Sequence, residues 1–67
     1  MRELIGTTIY RQPDGKETKA IVFFNGNGNN MTFEEAGNKH LIYAKAQNIE
    51  MAKLIFDCDI KGKVLVN

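Results

Sequence analysis

The chain has 67 residues and a mass of 7.6 kDa, which is enough for one small domain over residues 1–67. With 43% hydrophobic and 25% charged residues, its composition is typical of a globular protein and excludes disordered, fibrous and membrane-spanning classes. The chain has nine basic and eight acidic residues, interspersed along its length, so a broad attraction to nucleic acid or anionic lipid is not predicted.

A chain this short builds a thin core, since a domain of about 60 residues buries only about 60% of the surface of its unfolded chain. Apolar burial and ordering entropy then nearly cancel. We therefore expect a homodimer or a stable complex with a protein partner. Seven Asn, seven Lys and seven Ile against two Arg are typical of AT-rich genomes, so we also consider an accessory protein of a phage or mobile element that acts on a host protein.

The expected compartment is the cytoplasm. The single cysteine, Cys58, cannot form an intramolecular disulfide, and the first ten residues lack the apolar segment of a secretory signal. No apolar run approaches the roughly 20 residues that span a bilayer.

The first predicted element is a β-hairpin. Residues 3–11 and 18–24 are rich in β-branched and aromatic side chains, and between them lies the turn sequence Gln12-Pro13-Asp14-Gly15. Along the second strand, Ile21 and Phe23 alternate with Ala20, Val22 and Phe24. Both faces of this strand are therefore apolar, and since one helix covers one face, the face of Val22 and Phe24 is a candidate interface.

A helix is predicted over residues 33–47. Thr32 and Glu35 have the spacing of a capping box, and a helical projection places one set of residues on a common face: Phe33, Ala36, Gly37, His40, Tyr43 and Ala44. Asn48 is predicted to end this helix.

Residues 50–58 and 60–66 are predicted to form a second hairpin. The alternative continues the helix as far as Asp57, with apolar residues almost all round it. The predicted fold is therefore α+β with the order ββαββ, a four-stranded antiparallel sheet packed against one helix.

The segment Asn25-Gly26-Asn27-Gly28-Asn29-Asn30 contains the first two glycines of a dinucleotide-binding fingerprint, but Met31 occupies the third position. Acidic residues follow it, and they repel an anion. We interpret the segment as a turn, because Asn and Gly tolerate left-handed backbone. It leads into the helix or, alternatively, Met31 to Phe33 extend the sheet first.

The residues with catalytic or metal-binding side chains do not form a recognisable set. His40 is the only histidine and Cys58 the only cysteine, and the acidic neighbours of Cys58 disfavour a reactive thiolate. Asp57 and Asp59 have no third carboxylate nearby for a cation. We therefore predict neither enzymatic activity nor a cofactor or metal.

The function expected from the sequence is that of a small protein-binding or regulatory module. The predicted partner-binding residues are Val22, Phe24, Asn27, Asn29 and Asn30. The alternative is a nucleic-acid-binding module that uses the aromatic residues of the first hairpin and the lysines at the predicted hairpin turns, namely Lys16, Lys19, Lys61 and Lys63.

Overall fold

The fold is α+β, with one five-stranded mixed sheet and one short helix. The computed structural model describes residues 2–35 and 38–66, without the side chains of residues 38–41. In chain order the elements are β1 (Arg2–Arg11), β2 (Glu17–Asn25), β3 (Asn30–Glu35), β4 (Asn38–Lys45), α1 (Ile49–Ile55), a π-helical turn (Phe56–Ile60) and β5 (Val64–Val66). The strand order is β4-β3-β2-β1-β5. Neighbouring strands are antiparallel except β5, which is parallel to β1.

The predicted first hairpin is confirmed by the pairing of β1 with β2. Gly15 has a φ of +90°, its N–H donates to the Gln12 carbonyl at 2.8 Å, and the Lys16 N–H donates to Oδ1 of Asp14 at 2.9 Å. The turn chemistry of this Pro-Asp-Gly sequence therefore sets the register of the two longest strands.

The Asn/Gly segment forms a second hairpin turn, which joins β2 directly to β3. Gly28 and Asn29 adopt φ values of +85° and +55°, and this left-handed backbone reverses the chain. Residues 30–35 are thereby held beside β2 as a strand, so the predicted helix start at Thr32 is wrong. The alternative, in which the sheet continues past Met31, is correct.

Glu35 lies at the end of β3 instead of capping a helix. Its carboxylate is buried and accepts hydrogen bonds from the Gln12 side-chain amide and, at 2.5 Å, from the Thr18 hydroxyl. These bonds tie β3 to the first hairpin.

The remaining boundaries also differ from the prediction. Residues 38–45 form β4, and Asn48 begins a helix instead of ending one, because its Oδ1 accepts from the Met51 N–H at 2.9 Å. Residues 49–60 are helical, so the predicted strand over 50–58 is wrong. The alternative prediction, a helix that continues as far as Asp57, is closer to the structure. Ala36, Gly37 and the side chain of His40, placed on the predicted helix, lie outside the described residues.

The core lies between the sheet and the helical segment. Ala52, Phe56 and Ile60 recur every four residues on one side of that segment. They pack against a set of buried sheet residues: Tyr10, Ala20, Val22, Phe24, Met31, Phe33 and Leu65. Only one face of the sheet is covered in this way, and it is called here the inner face.

The helical segment lies very close to the sheet at Gly6 of β1. A Cβ atom built on Gly6 would lie 2.6 Å from Cζ of Phe56, with two more ring carbons within 3.1 Å. The pairing of β1 with β2 shifts register between Leu4 and Gly6, a bulge of the kind that often accompanies a strand glycine. The ring of Phe56 thus occupies the space of the missing side chain.

We predict that Gly6→Ala lowers the free energy of unfolding by about 1–3 kcal/mol, because the added methyl overlaps the Phe56 ring. Urea denaturation at one protein concentration measures this loss. Thr7→Val, on the opposite face of the same strand, is the control and should change stability by less than about 0.5 kcal/mol.

A Gly6→Ala, Phe56→Leu double variant should lose less than the sum of the two single variants, since the smaller side chain makes room for the methyl. Equal stability of Gly6→Ala and the parent protein would contradict this packing.

Candidate functional site

The face of the sheet opposite the helical segment is uncovered, and it is called here the open face. Six of the nine exposed large hydrophobic residues among the described residues lie on it by strand register: Leu4, Ile9, Ile21, Ile42, Val64 and Val66. The half-buried Phe23 joins them. Leu4 and Val66 are 63% and 64% exposed, so these side chains meet solvent instead of a second layer of the protein.

Ile21 lies at the centre of the open face. It is the middle residue of β2, which is the middle strand of the sheet. Its direct neighbours are Thr7 on β1 and Glu34 on β3, and Phe23 pairs with Leu4 two residues further along. A substitution at Ile21 therefore changes the centre of the open face.

Two ion pairs join the arginines of the open face to glutamates of the same face. The Arg2 guanidinium lies 4.1 Å from the centre of the Phe23 ring and also pairs with Glu34. Arg11 donates twice to Oε2 of Glu17, at 3.0 and 2.7 Å. Arg2 thus covers one side of an aromatic ring that would otherwise be more exposed.

Val22 and Phe24, two of the predicted partner-binding residues, lie in the core. They are 0% and 5% exposed, because the helical segment covers their face of β2. The predicted alternation along β2 is correct, but the face predicted as the interface, that of Val22 and Phe24, is the covered one. In this fold Ile21 and Phe23 are the residues of β2 on the open face.

The three predicted asparagines lie at one end of the sheet. Asn27 and Asn29 are exposed in the β2–β3 turn, and the half-buried Asn30 begins β3. The Asn29 carbonyl accepts from the Ala46 N–H at 3.0 Å, and Asn29 lines a groove of about 260 Å³ beside Lys45. The turn is therefore attached to the end of β4 and borders the open face.

The four predicted lysines separate into two groups. Lys19 and Lys63 line one groove of about 430 Å³ on the open face, together with Thr7, Ile9 and Val64. The Thr8 hydroxyl donates to the Lys63 carbonyl at 2.5 Å and fixes the loop that carries it. Lys16 and Lys61 lie in turns and do not line this groove.

The other candidates for chemistry are dispersed. Cys58, Asp57 and Asp59 are exposed on the π-helical turn. Within residues 2–35 and 38–66, no group of three or more His, Cys, Asp and Glu side chains is placed to hold a metal ion. In that same part of the chain, none of the helical segments has both the length and the hydropathy of a transmembrane helix. The side chain of His40 is not among those that the structure describes.

The sequence signal missed five residues of the open face: Leu4, Ile9, Ile42, Val64 and Val66. Leu4 and Ile9 share a face only because the bulge between Leu4 and Gly6 changes the alternation of β1. Ile42, Val64 and Val66 join them only through the pairing of β3 with β4 and of β1 with β5. A signal for the covered face was present in the spacing of Ala52, Phe56 and Ile60, which is helical.

The same substitution on the two faces should have different effects. Val22→Thr buries a hydroxyl in the core and should cost about 1–3 kcal/mol, whereas Val66→Thr leaves the hydroxyl in water and should change stability by less than about 0.5 kcal/mol. Thermal or urea unfolding of both variants measures this. Similar losses, or a greater loss for Val66→Thr, would contradict the assignment of the faces.

No known protein family, no curated protein and no solved structure matches the chain. Its function must therefore be inferred from the geometry and chemistry of the open face.

Proposed function

We propose that this protein is a protein-binding or regulatory module that binds its partner through the open face of the sheet. The observation that carries the proposal is the concentration of exposed apolar side chains around Ile21. A contiguous apolar surface of several hundred Å² on a folded chain is typical of an interaction site. The bordering Asn27 and Asn29 supply polar groups at the rim.

The arrangement of the open face also suits an interface. Its centre holds Ile21, Ile9 and an aromatic ring, and Arg2 and Arg11 are each paired with a glutamate, so no unpaired arginine is stripped of water when a partner binds. Apolar centres with polar rims are the usual anatomy of protein interfaces. Regulation would then follow from occupying the partner's surface, with no chemistry performed by this chain.

We predict that Ile21→Glu abolishes partner binding, because it places a carboxylate at the centre of the apolar surface. The measurement is a tagged pull-down from lysate of the source cells, with and without nuclease, compared between the parent protein and the variant by mass spectrometry.

Leu54→Glu is the matched control, since Leu54 is an exposed apolar residue on the helix. It should retain every protein that the parent recovers. If Ile21→Glu recovered the same proteins as the parent, binding through the open face would be refuted. Circular dichroism must show that both variants are folded.

A second candidate function, nucleic-acid binding, is supported by the groove shared by Lys19 and Lys63. Neither ammonium forms an ion pair with any described residue. Phe23, which is half-buried beside Arg2, is the aromatic ring of this face. A positively charged groove is one part of the surface that single strands use, and Phe23 lies on the same face, four residues from Lys19 along β2 and outside the groove.

Under this second function, a labelled single-stranded oligothymidine should bind at low salt, and the affinity should fall as salt rises. Replacing Lys19 and Lys63 together with Gln should reduce the salt slope by about 1.4, since each phosphate contact to a single strand contributes roughly 0.7. The control replaces Lys16 and Lys61, outside the groove. Absence of binding in fluorescence anisotropy at low salt would eliminate this candidate.

A further inference from the structure

We propose that the partner of the open face is a protein segment that carries carboxylate side chains beside apolar ones, and that these carboxylates pair with Lys19 and Lys63. The inference rests on the proposed function, because it assigns a chemistry to the partner of the same surface. It adds that charge, together with apolar contact, selects this partner and orients it.

Opposite sides of the molecule carry opposite charge. Among the described side chains, the open face has five basic groups and two acidic ones: Arg2, Arg11, Lys19, Lys45 and Lys63, against Glu17 and Glu34. The helical segment on the other side has three acidic groups and one basic group, all exposed: Glu50, Asp57 and Asp59, against Lys53. An acidic partner is therefore attracted to the open face and repelled from the helical side.

Three of the basic groups on the open face have no opposite charge of their own. The two arginines pair with Glu34 and Glu17, whereas the exposed Lys19, Lys45 and Lys63 have no carboxylate within ion-pairing distance among the described residues. A partner carboxylate can pair with these ammonium groups without breaking an existing ion pair. Two identical copies would instead bring the same lysines together, and like charges in contact disfavour an interface.

Lys19 and Lys63 line a groove whose floor is partly apolar. Ile9, Val64 and Thr7 line the same groove of about 430 Å³. Ile9 and Val64 are neighbours across the pairing of β1 with β5 and are each 39% exposed. Because hydrocarbon surface and ammonium groups share one depression, a segment that fits it presents apolar and acidic side chains together.

The backbone of Lys63 is already held in place beside the groove. Its N–H donates to the Ile60 carbonyl at 2.9 Å, and its carbonyl accepts from the Thr8 hydroxyl at 2.5 Å. Binding therefore does not have to order the loop that carries this lysine, and a preorganised site loses less entropy when its partner binds.

The exposed apolar side chains favour a protein segment over a nucleic acid. Leu4, Ile42 and Val66 are 63%, 59% and 64% exposed. Apolar side chains of a protein partner bury such a surface, whereas phosphates contact only the basic groups. Bases stack on aromatic rings, but Arg2 already covers one side of the Phe23 ring. An acidic and apolar segment uses both features of the open face.

A random-peptide library displayed on phage tests the inference. Peptides selected on the parent protein should be enriched in both acidic and apolar residues relative to the library. The double variant Lys19→Gln, Lys63→Gln should keep the apolar enrichment and lose the acidic one. The matched control Lys16→Gln, Lys61→Gln removes the same charge outside the groove and should keep both.

A synthetic peptide from this selection gives the magnitude. In fluorescence anisotropy, the Lys19→Gln, Lys63→Gln variant should bind it roughly 2- to 30-fold more weakly than the parent, since two exposed ion pairs are lost. The difference should shrink as salt rises. Replacing the acidic residues of the peptide with their amides should weaken binding to the parent by a similar factor and leave binding to the variant nearly unchanged.

Several outcomes would overturn the inference. They are a selection that yields no enriched peptide, selected peptides that are neutral or basic, and an acidic preference that survives Lys19→Gln, Lys63→Gln. Displacement of the peptide by oligothymidine, or by vesicles that contain phosphatidylserine, would assign the groove to that ligand and also overturn it.

Failure of this inference and failure of the proposed function give different results. A partner that the parent recovers in the pull-down and Ile21→Glu does not, but that Lys19→Gln, Lys63→Gln recovers equally at low and high salt, refutes the acidic partner and leaves the function standing. Recovery of the same proteins by the parent and by Ile21→Glu overturns the function itself.

Discussion

The contact between the Phe56 ring and Gly6 decides how the helical segment and the sheet meet. Position 6 must lack a side chain, since a Cβ there would overlap the ring, and the adjacent bulge adapts β1 to this approach. Burying one phenylalanine side chain stabilises a fold by about 1.5–3 kcal/mol, a large share of the stability of so small a domain. The contact also fixes which face of the sheet is covered.

One covered face leaves one open face. Residues 49–60 form a single helical layer of twelve residues, about 18 Å long at α-helical rise, and the chain has no second helix among the described residues. The open face is therefore the face that residues 49–60 do not cover, and its isoleucines and valines are exposed. A partner surface is the simplest means of burying them.

Local turn chemistry was the most informative part of the sequence. Pro13, Asp14 and Gly15 predicted the first hairpin, and the alternation along β2 was also correct. The helix predicted over 33–47 is wrong because the Asn/Gly turn pairs the next residues with β2, and this pairing overrides the capping-box spacing of Thr32 and Glu35. The site could be predicted only in part: Ile21 and Phe23 were known to share a face, but the position of the helix decided that this face was the open one.

The measurement that tests the central claim most directly is a carbon-edited NOE spectrum of the Phe56 ring protons. The structure predicts strong NOEs from this ring to the Hα protons of Gly6 and to inner-face neighbours, and none to Ile21 of the same chain. Strong NOEs from the Phe56 ring to Ile21 or Phe23 would show that the helical segment covers the other face, and the open face would then not exist as described.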